Sequence, residues 1–235
     1  MIFAATAALA LALFQTSAPP PDTSQPAPGA QAQLLFNFEH SQLNPPAYVL
    51  VIREDGSGHY QSNPGTGQQP NTTGNDISTS VGPASAGRDI QIHDPLLRVF
   101  FQTARSHHFF AIACEAPGNH IAFTGKKTVS YTGSDGHGEC TYNWSNDQQL
   151  NQLANDLMAI AYTIEEGRRL SAEHLHDRLA LDAELQALQE SVKEHRALEI
   201  ENITPELQAI ADDEAVMNRA RSRARSLLNG SPPKS

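Results

Sequence analysis

Residues 126–157, KKTVSYTGSDGHGECTYNWSNDQQLNQLANDL, contain the change of periodicity that decides the fold. KKTVSYTG and ECTYNWS alternate apolar and polar residues around the turn-rich Ser134-Asp135-Gly136-His137-Gly138, the pattern of a β-hairpin. From Asn146 onward the alternation stops. Leu150, Leu153, Leu157, Ile160 and Ile164 step by three and four, the spacing of one face of an α-helix.

Working back from the hairpin, LLFNFEH from Leu34 alternates as a half-buried strand does. AYVLVIRED, Gly56-Ser57-Gly58 and His59-Tyr60-Gln61 read as a second hairpin. Asp89–Ile92 is a strand candidate, as are Phe109–Cys114 and Ile121–Phe123. Between them Asp94-Pro95 has the look of an N-cap and first helical residue. Leu97, Phe100, Phe101 and Ala104 then recur at helical spacing. The segment 34–145 is therefore expected to be a small α+β domain, an antiparallel sheet with a packed short helix. Its loop 63–87 is too polar and turn-rich to join the core.

Working forward, residues 146–229 are expected to be helical, as a hairpin or a coiled-coil-like pair. The seam of apolar residues meets Gly167, Ser171, His174 and Arg178 before Leu181, Leu185, Leu188 and Val192 resume it. A turn near Gly167–Ser171 is preferred over one long helix, because Gly stops helices and Ser caps them. A further helix is expected from Thr204-Pro205-Glu206 to Gly230. Its acids Asp212, Asp213 and Glu214 precede Arg219, Arg221, Arg223 and Arg225, the order that suits the helix dipole. Residues 230–235 are a tail.

The amino terminus points to export. Ile2–Phe14 (IFAATAALALALF) is apolar but shorter than the roughly 20 residues of a spanning helix, so residues 1–18 read as a signal peptide. No transmembrane span is expected once the leader is cleaved. Residues 19–33, rich in Pro, Ala and Gln, form a spacer. A periplasmic or secreted location follows. The net charge of -10 argues against a nucleic-acid partner, since phosphate binding needs a basic surface.

Cys114 and Cys140 are the chain's two cysteines, and in an exported protein they are expected to form a disulfide. A cysteine nucleophile would need a reduced, activated thiol, and neither has such a neighbourhood. His107, His108, His120 and His137 cluster in sequence around the same region and are the candidate metal ligands. No HExxH or CxxC accompanies them, and no cofactor is expected. GNHIAFTGKKT is not a phosphate loop, because a strand follows it where a helix is required. Lys126 and Lys127 are expected to face solvent. Glu165, Glu166, Arg168 and Arg169 are expected to form a solvated helix face, with Glu165 and Arg169 at ion-pair spacing. Tyr131, Tyr142 and Trp144 either line a groove or fill the core. Alternation along ECTYNWS favours core, with Cys140, Tyr142 and Trp144 on one face.

The run IAFTGKKTVSYTG, then ECTYNWS, then the Leu-periodic helix with TIEEGRRL resembles exported bacterial proteins of unknown function. The resemblance implies a bacterial envelope or secreted setting and carries no activity. Two function classes stand as expectations. The first is a non-catalytic protein-binding or structural module of the cell envelope, engaging a protein partner or a second copy through its C-terminal helices. The alternative is a metal-assisted hydrolase with the four histidines near Cys114 and Cys140.

Overall fold

The structure, a computed structural model, describes residues 31–63, 87–118 and 122–230. The leader, residues 19–30 of the spacer, the interior of loop 63–87, His120 and the last five residues lie outside it. The chain is α+β, as its pattern predicts: an antiparallel sheet with a short helix, followed by a helical C-terminal region.

Among the described residues six strands form one sheet: β1 (Gln33–Glu39), β2 (Ala47–Arg53), β3 (Ser57–Asn63), β4 (Gly87–Gln91), β5 (Lys126–Gly133) and β6 (Gly136–Tyr142). Their order is β4-β3-β2-β1-β5-β6, and every neighbouring pair is antiparallel. The register places Phe36 between Leu50 and Val129, so apolar side chains line up across the central strands. One face carries Leu34, Phe36, Phe38, Leu50, Ile52, Tyr60 and Tyr131, all buried. The period of two in the sequence becomes a one-sided core.

Helix α1 (Leu96–Ser106) and the first half of α2 (Gln148–His176) cover that face through Phe100, Phe101, Ala104, Leu150, Leu153, Leu157 and Ile160. Asp94 does not cap α1; its carboxylate pairs with Arg98 at 3.2 Å instead. Asp147 does cap α2, accepting from the N–H groups of Gln149 at 2.8 Å and Leu150 at 3.2 Å.

Phe109–Cys114 is not a strand. His108, Phe109 and Phe110 form a tight turn with φ of 51°, 58° and 67°, a left-handed run that L residues rarely adopt. Burial holds it there. Phe110 is fully buried, and the Phe109 ring lies 5.1 Å from that of Tyr131, in space left by Gly136, whose Cβ would fall 2.2 Å from the ring. An apolar hexapeptide thus serves as an anchor on the hairpin rather than as a further strand.

α2 runs unbroken through Gly167 and Ser171, so the preferred turn is not there. The reason is packing. A Cβ on Gly167 would approach Ile203 Cγ2 to 2.4 Å, so the glycine makes room for a crossing segment rather than ending the helix. The turn comes at residues 177–180, and α3 (Leu181–Lys193) returns antiparallel. Tyr162 pairs with Ser191 and Arg169 with Glu184 along the way. The expected last helix is two, α4 (Thr204–Asp212) and α5 (Asn218–Leu228), separated by a bend that buries Val216.

Leu170, Leu181, Leu185, Leu188, Ile203, Leu207 and Ile210 form a second core, distinct from that under the sheet. α2 contributes to both. Where the two meet, the contacts are largely polar. Arg88 binds Glu206 through both nitrogens at 2.7 and 3.1 Å, and Tyr60 donates to Glu165 at 2.6 Å. Arg168 donates to Ser62 at 2.8 Å. The Asn202 amide accepts from Gln91 N–H and donates to Gln91 C=O, occupying backbone groups that edge strand β4 would otherwise expose.

Candidate functional site

The cysteine pair is formed: Cys114 and Cys140 are disulfide-bonded, with Cα atoms 5.9 Å apart. β6 supplies Cys140 and the segment after the 108–110 turn supplies Cys114. Oxidised, neither sulfur is a nucleophile.

The histidines near this bridge have separate settings. His107 is largely buried and engaged at both ring nitrogens, with Thr103 C=O at 2.8 Å and Asp147 at 2.9 Å, so it ties the end of α1 to the cap of α2. Against its burial, the N–H groups of α2 and His107 hold the Asp147 carboxyl below the usual range. His108 and His137 are exposed, and His120 lies outside the described residues.

Tyr131 and Tyr142 are buried, whereas Trp144 is 44% exposed, so the three do not share one environment. Tyr131 donates to Asp135 at 2.6 Å and Tyr142 to Leu150 C=O at 3.1 Å. The alternation that unites Cys140, Tyr142 and Trp144 ends with β6 at Tyr142. Asn143 then bonds both Ala122 C=O and Thr124 N–H, bringing Trp144 into the loop neighbourhood of the exposed Phe123.

Two expected surface groups lie inside the molecule. Lys127 is buried, donating to Thr124 and to the carbonyls of Gly125 and Asn143, and burial pushes its ammonium below the usual lysine value. It follows the inward alternation of β5 rather than the polarity of its side chain. Glu166 is also buried. Glu165 pairs with Arg168, not Arg169, while Glu166 faces Arg169 at 2.8 Å. Burial, reinforced by the charge of Glu184, pushes the Glu166 carboxyl up despite Arg169. This face of α2 is a joint to β3 through Glu165 and Arg168 and to α3 through Arg169, not a solvated surface.

The leucine stripes that suggest a partner surface are satisfied internally: Leu157, Ile160, Leu181, Leu185 and Leu188 are fully buried within the chain. Apolar exposure lies elsewhere. Leu175 and Leu179, in the last turn of α2 and the link to α3, are 75% and 76% exposed. Met217, at the start of α5, is 40% exposed. His174 binds Asp213 at 2.8 Å and Arg178 reaches it at 3.4 Å, drawing the α4–α5 bend to the end of α2. Asp182 near the start of α3 binds Arg219 at 2.6 Å and Arg223 at 3.0 Å, closing the same pole. The arginines at 219 and 223 are thus turned onto the chain's own acid. Leu175 and Leu179 sit one position off the α2 seam, on its polar side, and that offset is the one sequence signal for them.

A second feature is a cleft of about 750 Å³ lined by Asp55, His93, Leu97, Arg98, Phe101 and Arg105 among others. Arg105 is already bound to Asp135 and Glu54, each at 2.7 Å, and lies over the rings of Phe101 and Tyr131. At the rim, His93 meets Glu199 and Glu201. Sequence reasoning missed these three, because more than 100 residues separate His93 from its acids and no local spacing joins them. Among the described residues, no helix is long and apolar enough to cross a membrane. No protein-family model matches the chain, and no curated protein matches it.

Proposed function

We propose that this protein is an exported, non-catalytic module of the bacterial cell envelope that binds another protein, a second copy of itself included, through the pole of its helical half. The observation that carries the reading is the exposure of Leu175 and Leu179, at a pole braced by the ion pairs of Asp213 and Asp182. Apolar side chains held exposed on a braced support are surface that a partner can bury. Export is supported by the disulfide, which persists in oxidising compartments.

The metal-assisted hydrolase around His107, His108, His120 and His137 has less support. His107 is committed to Thr103 and Asp147, and an exposed His108 and His137 lack a wall that would exclude water.

A photo-reactive residue placed at position 175 or 179 in the producing cell tests the proposal, with position 139 on the open face of the sheet as control. Discrete crosslinked species from 175 and 179, absent from 139, are expected. Equal or absent crosslinking at all three would overturn the reading.

A further inference from the structure

We propose that His93, Glu199 and Glu201 form a divalent transition-metal site, of the kind zinc occupies, at the joint between the sheet and the helical half. It is independent of the partner-binding reading.

The three side chains offer one donor atom each, all within 4.8 Å of one another. They come from distant parts of the chain but are held in register: the Asn202 amide clamps both backbone groups of Gln91, and His93 N–H donates to Glu199 Oε1 at 3.1 Å. Glu199 Oε2 lies 2.6 Å from His93 Nδ1. The Glu199 side chain is only 8% exposed, so a carboxylate has been taken out of water against an imidazole and a single N–H. A cation beside that carboxylate stabilises it, and either a proton on His93 or a metal can supply one.

The donor set restricts which metal. An imidazole nitrogen disfavours magnesium and calcium, and the absence of thiolate among the three disfavours copper(I); nitrogen with two carboxylates suits zinc and its divalent neighbours. Three protein donors leave a fourth tetrahedral position. His93 also lines the 750 Å³ cleft, which gives that position access to water or to a ligand. Bonds of about 2.0 Å place tetrahedral donors roughly 3.3 Å apart. The His93–Glu199 pair must therefore open by a fraction of an ångström, which the half-exposed His93 ring can accommodate.

The test is calorimetric titration of the full chain, stripped with chelator, with zinc chloride, followed by thermal unfolding with and without zinc. Saturable one-to-one binding is expected, with a raised melting temperature. Glu201→Gln, at an exposed position that the fold does not need, is expected to weaken binding by about tenfold or more and to remove the thermal shift. His93→Ala is expected to do the same, and His137→Ala to leave both unchanged. No saturable binding, or an equal loss in His137→Ala, would overturn the proposal.

Discussion

The sheet half and the helical half are built from different materials. Under the sheet, Phe36, Phe38, Phe100, Phe110, Tyr60, Tyr131 and Tyr142 interlock and a disulfide closes the structure. The buried core of the helical half is Leu, Ile, Val and Ala, braced at its edges by charged pairs such as Asp182 with Arg219 and Arg223. Aromatic interdigitation and a crosslink specify one rigid arrangement; short aliphatic helices depend more on how their ends are tied. The joint between the halves combines α2, shared by both cores, with a row of polar contacts. The half with the exposed leucines is thus one whose edges, tied by the pairs of Asp182 and Asp213, answer to pH and salt.

Predictions that would break or sharpen this contrast run from large to small. Replacing both Cys114 and Cys140 by Ser is expected to cost about 3.5 kcal/mol for a 26-residue separation, read as an earlier urea transition in the sheet half. An equal shift in helical signals would show that the halves are not separable. Gly167→Val is expected to cost about 2 kcal/mol, because a side chain there collides with Ile203. Far-UV dichroism should show the helical half melting first.

Asp182→Ala is expected to cost about 1.5 kcal/mol, an effect that shrinks in high salt. Although burial pushes the other way, Arg219 and Arg223 hold the Asp182 carboxyl below its usual range. Its folded value is depressed, so its contribution is complete above the ordinary carboxylate value and lost as pH falls through the folded one. Acid melting curves should therefore lose this step in the variant. Glu166 has the opposite sign. Its raised folded value means that the helical half gains stability as pH falls from neutral toward the ordinary glutamate range. Glu166→Gln should abolish that gain, with Arg169 keeping Glu184 as its partner. His93 is raised by its bond to Glu199, so in metal-free protein its contribution is full at acidic pH and lost as pH rises through its folded value. Melting temperature against pH, compared with His93→Ala, reads that loss.

Much of the fold was legible because periodicity reports which face is buried. β1, β2, β5 and β6 follow the alternation of their residues, and the disulfide follows from the chain's two cysteines lying in one sheet region of a sequence expected to be exported. What failed were punctuation and polarity. Gly167 looked like a stop and is a packing notch; FFAIAC looked like a strand and is an anchor. Lys127 and Glu166 looked solvated and are buried, because strand and helix geometry set their direction and neighbouring carbonyls or Arg169 make burial tolerable. The His93 cluster was invisible, since the fold alone brings residue 93 to residues 199 and 201. Of the histidines that sequence proximity suggested, His107 is taken up by Thr103 and Asp147, and His120 lies outside the described residues.

The central claim is that two cores, joined through α2 and a polar seam, hold the molecule together with unequal strength. Native-state hydrogen exchange of the full chain in rising urea tests it most directly. The account predicts that amides of α3, α4 and α5 open as one unit at lower denaturant than those of β1, β2 and β5. A single opening free energy shared by both sets would contradict it.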